Sequence, residues 1–250
     1  MLYWWSKFVL VGPLLRLMCR PTIEGVEHVP EHGGAILASN HLAVVDSFLL
    51  PLLVPRRITF LAKREYFTQP GFLGRLKKIF FTGVGQVPVD RASGSAAQAA
   101  LATAVRILNE ERLLGIYPEG TRSPDGRLYK GKTGVARMAL EAGVPVIPVA
   151  MINTFDIQPP GKVLPRIMRV GIRIGEPLDF SRYAGLEGDR FVLRSITDEI
   201  MYELMQLSGQ EYVDTYATKA KADIAEARQA AEEALVADDR MLVGTGRKAS

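Results

Sequence analysis

Along the 250 residues, short and nearly continuous apolar runs alternate with longer stretches whose apolar positions recur every three or four residues. The short runs predict strands over 34–39, 58–62, 114–117, 146–151 and 168–174. The longer ones predict helices over 45–54, 71–80, 93–109 and 132–142, the second being the least periodic. Strands separated by helices in this way give an α/β fold, a mixed, mostly parallel β-sheet flanked by helices. No repeat of solenoid period breaks the order. Phe191, Ile196, Ile200 and Leu204 add a helical spacing over 186–207, a segment expected to pack on the domain. From 219 to 237 the pattern changes to alanine with alternating charge, "KAKADIAEARQAAEEALVA", which favours helix yet offers little to bury. A solvated helix ending in a frayed "GTGRKAS" is expected, and no chemistry attaches to it.

The first twenty residues, "MLYWWSKFVLVGPLLRLMCR", follow a different rule. Lys7, Arg16 and Arg20 interrupt the apolar run before it reaches the roughly eighteen residues a spanning helix needs. Gly12-Pro13 breaks its middle, and no small-residue cleavage site follows, so a signal peptide is not expected. Trp4 and Trp5 beside Lys7 are the mixture that suits the headgroup level of a bilayer. A helical hairpin packed on the core fits the same residues. The expected organisation is an amphipathic helical membrane-contact segment over 1–20, the α/β domain over 21–210, and a helical, partly disordered tail over 211–250.

Composition narrows this picture modestly. With 48% hydrophobic and 23% charged residues the chain can bury a core. A net charge of +4 and a pI near 9.2 suit an anionic partner without choosing among phosphate, lipid surface and nucleic acid. Cys19 is the only cysteine, which excludes an intrachain disulfide and a cysteine-rich metal site and fits a reducing setting. His28 and His32 stand four apart, but Pro30 and Gly33-Gly34 work against a helix there, and no third ligand is evident; no metal is expected. No zinc, RNP-type or helix-turn-helix pattern supports nucleic-acid binding.

The candidate chemistry begins at "SNHLAVVDS", where an imidazole leaves a strand at His41 and a carboxylate follows at Asp46. On a continuous helix, positions five apart point about 140° from one another. The two meet only if His41 lies in the turn and Asp46 in the first turn of the helix. The carboxylate then accepts one ring N–H and leaves the other nitrogen unprotonated, the tautomer a general base requires. An ordinary turn with a helix-start acid accounts for the same residue types.

Downstream, "GIYPEGTRSPDGR" ends an apolar strand in a turn carrying Glu119, Gly120, Thr121 and Arg122. A guanidinium fork, a hydroxyl and a glycine that admits close backbone approach are what phosphate recognition uses. Glu119 can accept from a substrate hydroxyl or hold an arginine. In "GQVPVDRASG", Arg91 offers a second clamp or forms a plain surface pair with Asp90. Lys63 follows the run "ITFLA" and can reach the same place; Lys130 and Lys132 are further basic neighbours.

Taken together, these segments resemble the glycerolipid acyltransferase family, specifically the bacterial 1-acyl-sn-glycerol-3-phosphate acyltransferases. "NHLAVVDS" resembles that family's H-x4-D block, "VPVDR" its second, "YPEGTRS" its third and "VPVIPVA" its fourth, in order over 21–182. One departure is Val87-Pro88-Val89, where the second block commonly carries an aromatic or bulky apolar residue.

The resemblance implies acyl transfer from acyl-CoA or acyl carrier protein to the sn-2 hydroxyl of lysophosphatidic acid, giving phosphatidic acid. His41 and Asp46 would act as base and orienting partner, and Lys63 would steady the oxyanion. Arg91, Glu119, Gly120, Thr121 and Arg122 would hold the phosphate. No cofactor is implied, and the partners are membrane lipid, lysophosphatidic acid and acyl-CoA, met at the cytoplasmic face of the membrane as a peripheral or monotopic protein. Acylation of glycerol 3-phosphate or another lysophospholipid, and non-catalytic lipid binding on the same fold, are the alternatives. An acyl-chain path is expected among the apolar helical residues 48–53 and "GFLGRLKKIFF", a stretch that can instead dip into the membrane beside the N-terminal segment.

Overall fold

Seven strands make one twisted sheet, and the two connections that cross between its central strands determine where a ligand can sit. The structure, a computed structural model, describes residues 4, 6–83, 85–89, 96–159 and 166–246. The strands are β1 (Thr22–Glu24), β2 (Ala35–Ser39), β3 (Ile58–Lys63), β4 (Gln86–Val89), β5 (Leu113–Ile116), β7 (Val146–Ile152) and β8 (Gly171–Ile174). A separate two-stranded pair joins β6 (Leu128–Tyr129) to β9 (Tyr212–Val213). The order across the main sheet is β1-β8-β7-β2-β5-β3-β4. Pairing is parallel throughout except between β7 and β8.

β2 and β7 are buried on both faces and read as continuous apolar runs, as parallel strands under two layers of helix must. One layer holds the helix Asp46–Leu53 with the N-terminal helix Val11–Cys19, whose Leu15 and Cys19 join its core. The opposite layer holds the helices Ala96–Asn109, Gly134–Ala142 and Arg190–Ser208. The last is started by Asp189, whose side chain accepts from the amides of Phe191 and Val192.

The helix after β2 therefore leaves over one face and the helix after β5 over the other. Adjacent parallel strands whose connections diverge leave a crevice at their carboxyl ends, the usual ligand position in an open α/β sheet.

The elements depart from expectation mainly where they are short. β1, β6 and β9 are two or three residues long and show no period. β8 begins at Gly171 rather than 168, and the Val170 amide bonds the Cys19 carbonyl at 3.1 Å instead of extending a ladder. β4 carries Pro88 opposite Ala62 and lies at the sheet edge, where a missing N–H is tolerated.

The helix Ala217–Gly246 runs well into the segment expected to fray, through Gly246. The expected boundary at 210 also cuts through a bonded unit, because β9 pairs with β6 inside the α/β domain.

Candidate active site

Register brings the two motifs together. Ala38 of β2 stands opposite Ile116 of β5, so the residues three positions beyond that pair, His41 and Glu119, come level. There the His41 amide donates to Glu119 Oε1 at 3.1 Å, and the Ser123 amide donates to the His41 carbonyl at 2.7 Å. The loop bearing Gly120, Thr121 and Arg122 is thus tied to the histidine's own backbone.

The imidazole is held on two sides. Its Nδ1–H donates to Asp46 Oδ2 at 3.0 Å, and the same oxygen accepts from the amides of Leu42 and Ala43 at 2.8 Å each. Asp46 is fully buried at the start of its helix, and its Oδ1 has no hydrogen-bond partner. Tyr117 lies flat beneath the ring, with centroids 3.8 Å apart and planes 8° from parallel. The Tyr117 hydroxyl is fixed in turn by Ser47 Oγ at 2.9 Å. The His41 side chain retains 16% exposure, and with Nδ1–H engaged its Nε2 carries the lone pair. This arrangement can take a proton from an alcohol.

Behind the ring, Asn40 anchors the strand exit. Its amide exchanges hydrogen bonds with the Met151 backbone at 3.1 and 2.7 Å and donates to Gln210 Oε1 at 2.6 Å.

Glu119 departs from its expected role of holding the phosphate. It is 1% exposed, and its second oxygen accepts from the Tyr129 amide at 2.9 Å. Both oxygens therefore fasten backbone, joining the His41 turn to β6. Burial pushes this carboxyl up to about 7 against the two amide bonds that favour its charged form.

Lys7 also departs from expectation. Rather than facing headgroups, it is buried, and its Nζ donates to the Val54 carbonyl at 2.5 Å. That carbonyl caps the helix Asp46–Leu53, where a cation is favourable. Desolvation, with Arg16 nearby, lowers the amine to about 8. Trp4 is exposed and stacks on Phe8 at 5.7 Å.

Trp5 and Arg91 lie outside the described residues. Lys63 ends β3 opposite Val89, and its side chain is likewise outside what is described. Lys130 is paired with Asp214 at 2.8 Å. The helix Asp46–Leu53 buries Leu49, Leu50 and Leu52 in the core, while Phe48 and Leu53 are only partly buried. A cleft of about 480 Å³ opens at the ends of β3 and β4, lined by Arg64, Phe67, Thr68, Lys78, Thr82 and Pro88.

Two contributors were missed in the sequence. Tyr117 stood in the quoted motif, and an aromatic closing an apolar strand was its signal. Lys221 donates to Thr121 Oγ1 at 2.7 Å from the far end of the chain, and nothing distinguished it within an alternating-charge stretch.

A His–Asp pair at one strand exit stands beside a Gly-Thr-Arg turn at its neighbour, and the chain belongs to the Acyltransferase family, whose model matches residues 20–152. Among similar proteins is the 1-acyl-sn-glycerol-3-phosphate acyltransferase of Limnanthes alba, 36% identical over 53% of this chain and 45% of its own length. That of Borreliella burgdorferi is 31% identical over 53% of this chain and 51% of its own. That of Bacillus subtilis is 28% identical over 74% of this chain and 86% of its own. The chain thus spans about half the length of the first curated relatives it matches. The crystal structure of the 1-acyl-sn-glycerophosphate acyltransferase PlsC from Thermotoga maritima shares the fold, with a TM-score of 0.59 and 24% identity over 81% of this chain and 82% of that one.

Proposed function

We propose that the chain transfers a fatty acyl group from a thioester donor to the free hydroxyl of a lysophosphatidic acid. The observation that supports this most is the His41 ring, clamped by Asp46 and Tyr117 and bonded through its backbone to Glu119 and Ser123, which flank the Gly120–Arg122 turn. In this reading His41 Nε2 takes the hydroxyl proton as the oxygen attacks the thioester carbonyl. The tetrahedral intermediate collapses, the C–S bond breaks, and the imidazolium returns the proton to the departing thiolate. No acyl-enzyme forms, which agrees with a buried Cys19 whose thiol is pushed up by desolvation. Arg122 and Thr121 hold the phosphate, Arg91 assists, and Lys63 steadies the oxyanion; no cofactor enters.

Each buried methylene contributes roughly 0.8 kcal/mol, so the acyl chain supplies most of the affinity and the phosphate contacts set the register over His41. A lipid surface supplies the lysolipid acceptor. The exposed apolar residues of the N-terminal helix, with Leu17 73% exposed, and of the helix Gly71–Gly83, with Phe72 81% exposed, are read as lying against it on the cytoplasmic side. No described helix is long and apolar enough to cross a membrane.

The test offers purified protein an acyl-CoA and an acyl carrier protein with lysophosphatidic acid, glycerol 3-phosphate and a neutral lysolipid. Lysophosphatidic acid is expected to be acylated fastest, with His41→Ala lowering turnover about 10²–10⁴-fold. Wild-type turnover in that variant, or preference for the neutral lysolipid, would reject the reading.

A further inference from the structure

Three cationic side chains converge on the Gly120–Arg122 turn, and one of them comes from the C-terminal helix. Lys221 Nζ donates to Thr121 Oγ1 at 2.7 Å. A Cβ on Gly120 would stand 3.0 and 3.1 Å from Lys132 Cε and Nζ, so that lysine's tip lies over the glycine. Arg122 is close enough to Lys221 to lower the pKa of its amine, the larger effect there being desolvation. Among the described residues none of these three forms an ion pair. Glu119, whose charge partly offsets the effect of Arg122 on Lys221, is buried with both oxygens on backbone amides. Three like charges gathered around one partly ionised carboxyl still repel one another and are relieved by a further anion.

The approach of Lys221 is built into the fold. The chain before it is fastened to the motif loop by the β6–β9 pair, by Lys130 on Asp214 at 2.8 Å, and by the Leu128 amide on the Glu211 carbonyl at 2.9 Å. Ala217, four residues earlier, is fully buried. One turn of helix then carries the ammonium back over Thr121. A hydroxyl that accepts from an ammonium keeps its own proton to donate, and a phosphate oxygen beside it would take both the Thr121 O–H and a second N–H of Lys221.

We infer that Lys221 is a binding residue for the acceptor's phosphate, supplied by the C-terminal helix and completing with Thr121, Arg122 and Lys132 a site for a phosphate monoester dianion. The identification of that anion as a lysophosphatidic acid headgroup rests on the proposed function; the anion site itself does not.

Two measurements on the full chain test this. Calorimetric titration with glycerol 3-phosphate compares wild type with Lys221→Met and Lys221→Gln, and binding is expected to weaken about tenfold or more in both, with Lys221→Arg recovering part. Steady-state assays should show KM for lysophosphatidic acid raised by a similar factor. KM for the acyl donor and turnover of phosphate-free 1-acylglycerol should not move.

Wild-type affinity for glycerol 3-phosphate in both neutral variants, no detectable binding by wild type, or an equal loss for both acceptors would overturn the inference; the last would mark Lys221 as a helix dock only. If wild type binds glycerol 3-phosphate through Lys221 yet acylates no lysophosphatidic acid, the anion site stands and the proposed reaction falls.

Discussion

At the scale of single residues, the site depends on two buried carboxyls with opposite duties. Asp46 accepts a ring N–H and two amides at one oxygen, so in the proposed reaction its charge would stabilise the imidazolium formed when His41 takes a proton. Asp46→Asn preserves the size and most of the hydrogen bonding while removing the charge. Turnover should fall about 10²–10⁴-fold with substrate KM little changed, and an unchanged rate constant in single-turnover kinetics would reject the orienting role. Glu119 instead reports on pH. Its carboxyl ordinarily titrates at 4.5 and in the fold at about 7, so the native state holds the extra proton between those values. The stability this contributes, on the order of 3 kcal/mol, is present in full below 4.5 and lost as pH rises through 7. Denaturant unfolding of wild type should show stability declining over that window, and Glu119→Gln, which cannot titrate, should flatten the decline. An identical slope in the variant would show that another group is responsible.

At the scale of elements, long strands and helices were legible because their apolar residues keep a period over enough positions to be counted. β2 and β7 could be read from the runs "AILAS" and "VIPVAMI". β1, β6 and β9 are too short to carry a period, and their existence depends on partners far away in the chain. Lys7 was misplaced for a related reason. A lysine beside tryptophans has the composition of a headgroup anchor, and only the tertiary position of the Val54 carbonyl turns it inward. The helices that do expose apolar faces give a cleaner test than removing the N-terminal segment, since Leu15 and Cys19 belong to the core. Phe72→Ser with Leu76→Ser, or Leu14→Ser with Leu17→Ser, changes exposed positions and should leave thermal stability nearly unaltered. Each pair should lower partitioning onto anionic phospholipid vesicles at least about tenfold, given roughly 1.5–3 kcal/mol for each large side chain buried. Undiminished co-sedimentation by both double variants would remove the interfacial reading.

Across the whole molecule, the half of the site that lies within one motif was legible, while the half made by distant segments was not. The His41–Asp46 pair follows from five consecutive spacings and a strand exit. The bonds of Asn40 to Met151 and Gln210, and of Thr121 to Lys221, span 100 to 170 positions, and no local pattern announces them. These bonds unite the His41 loop and the Gly120–Arg122 turn with Gln210 at the end of the expected domain and Lys221 in the expected tail. Gln210 is the centre of that union: its Oε1 accepts from Asn40 and its Nε2 donates to the Gly126 carbonyl at 2.5 Å. Replacing it with alanine leaves the Asn40–Met151 exchange in place but strands one amide proton and one carbonyl in a partly buried setting, at a cost of about 1–3 kcal/mol. If the brace holds the two loops in register, turnover should fall along with stability in Gln210→Ala. Gln210→Glu, which keeps the acceptor toward Asn40 and loses the donor toward Gly126, should lie between. The check is a comparison of thermal unfolding with the rate of acyl transfer at a temperature where all three proteins are fully folded. Equal rates there would confine Gln210 to stability and deny it a part in turnover.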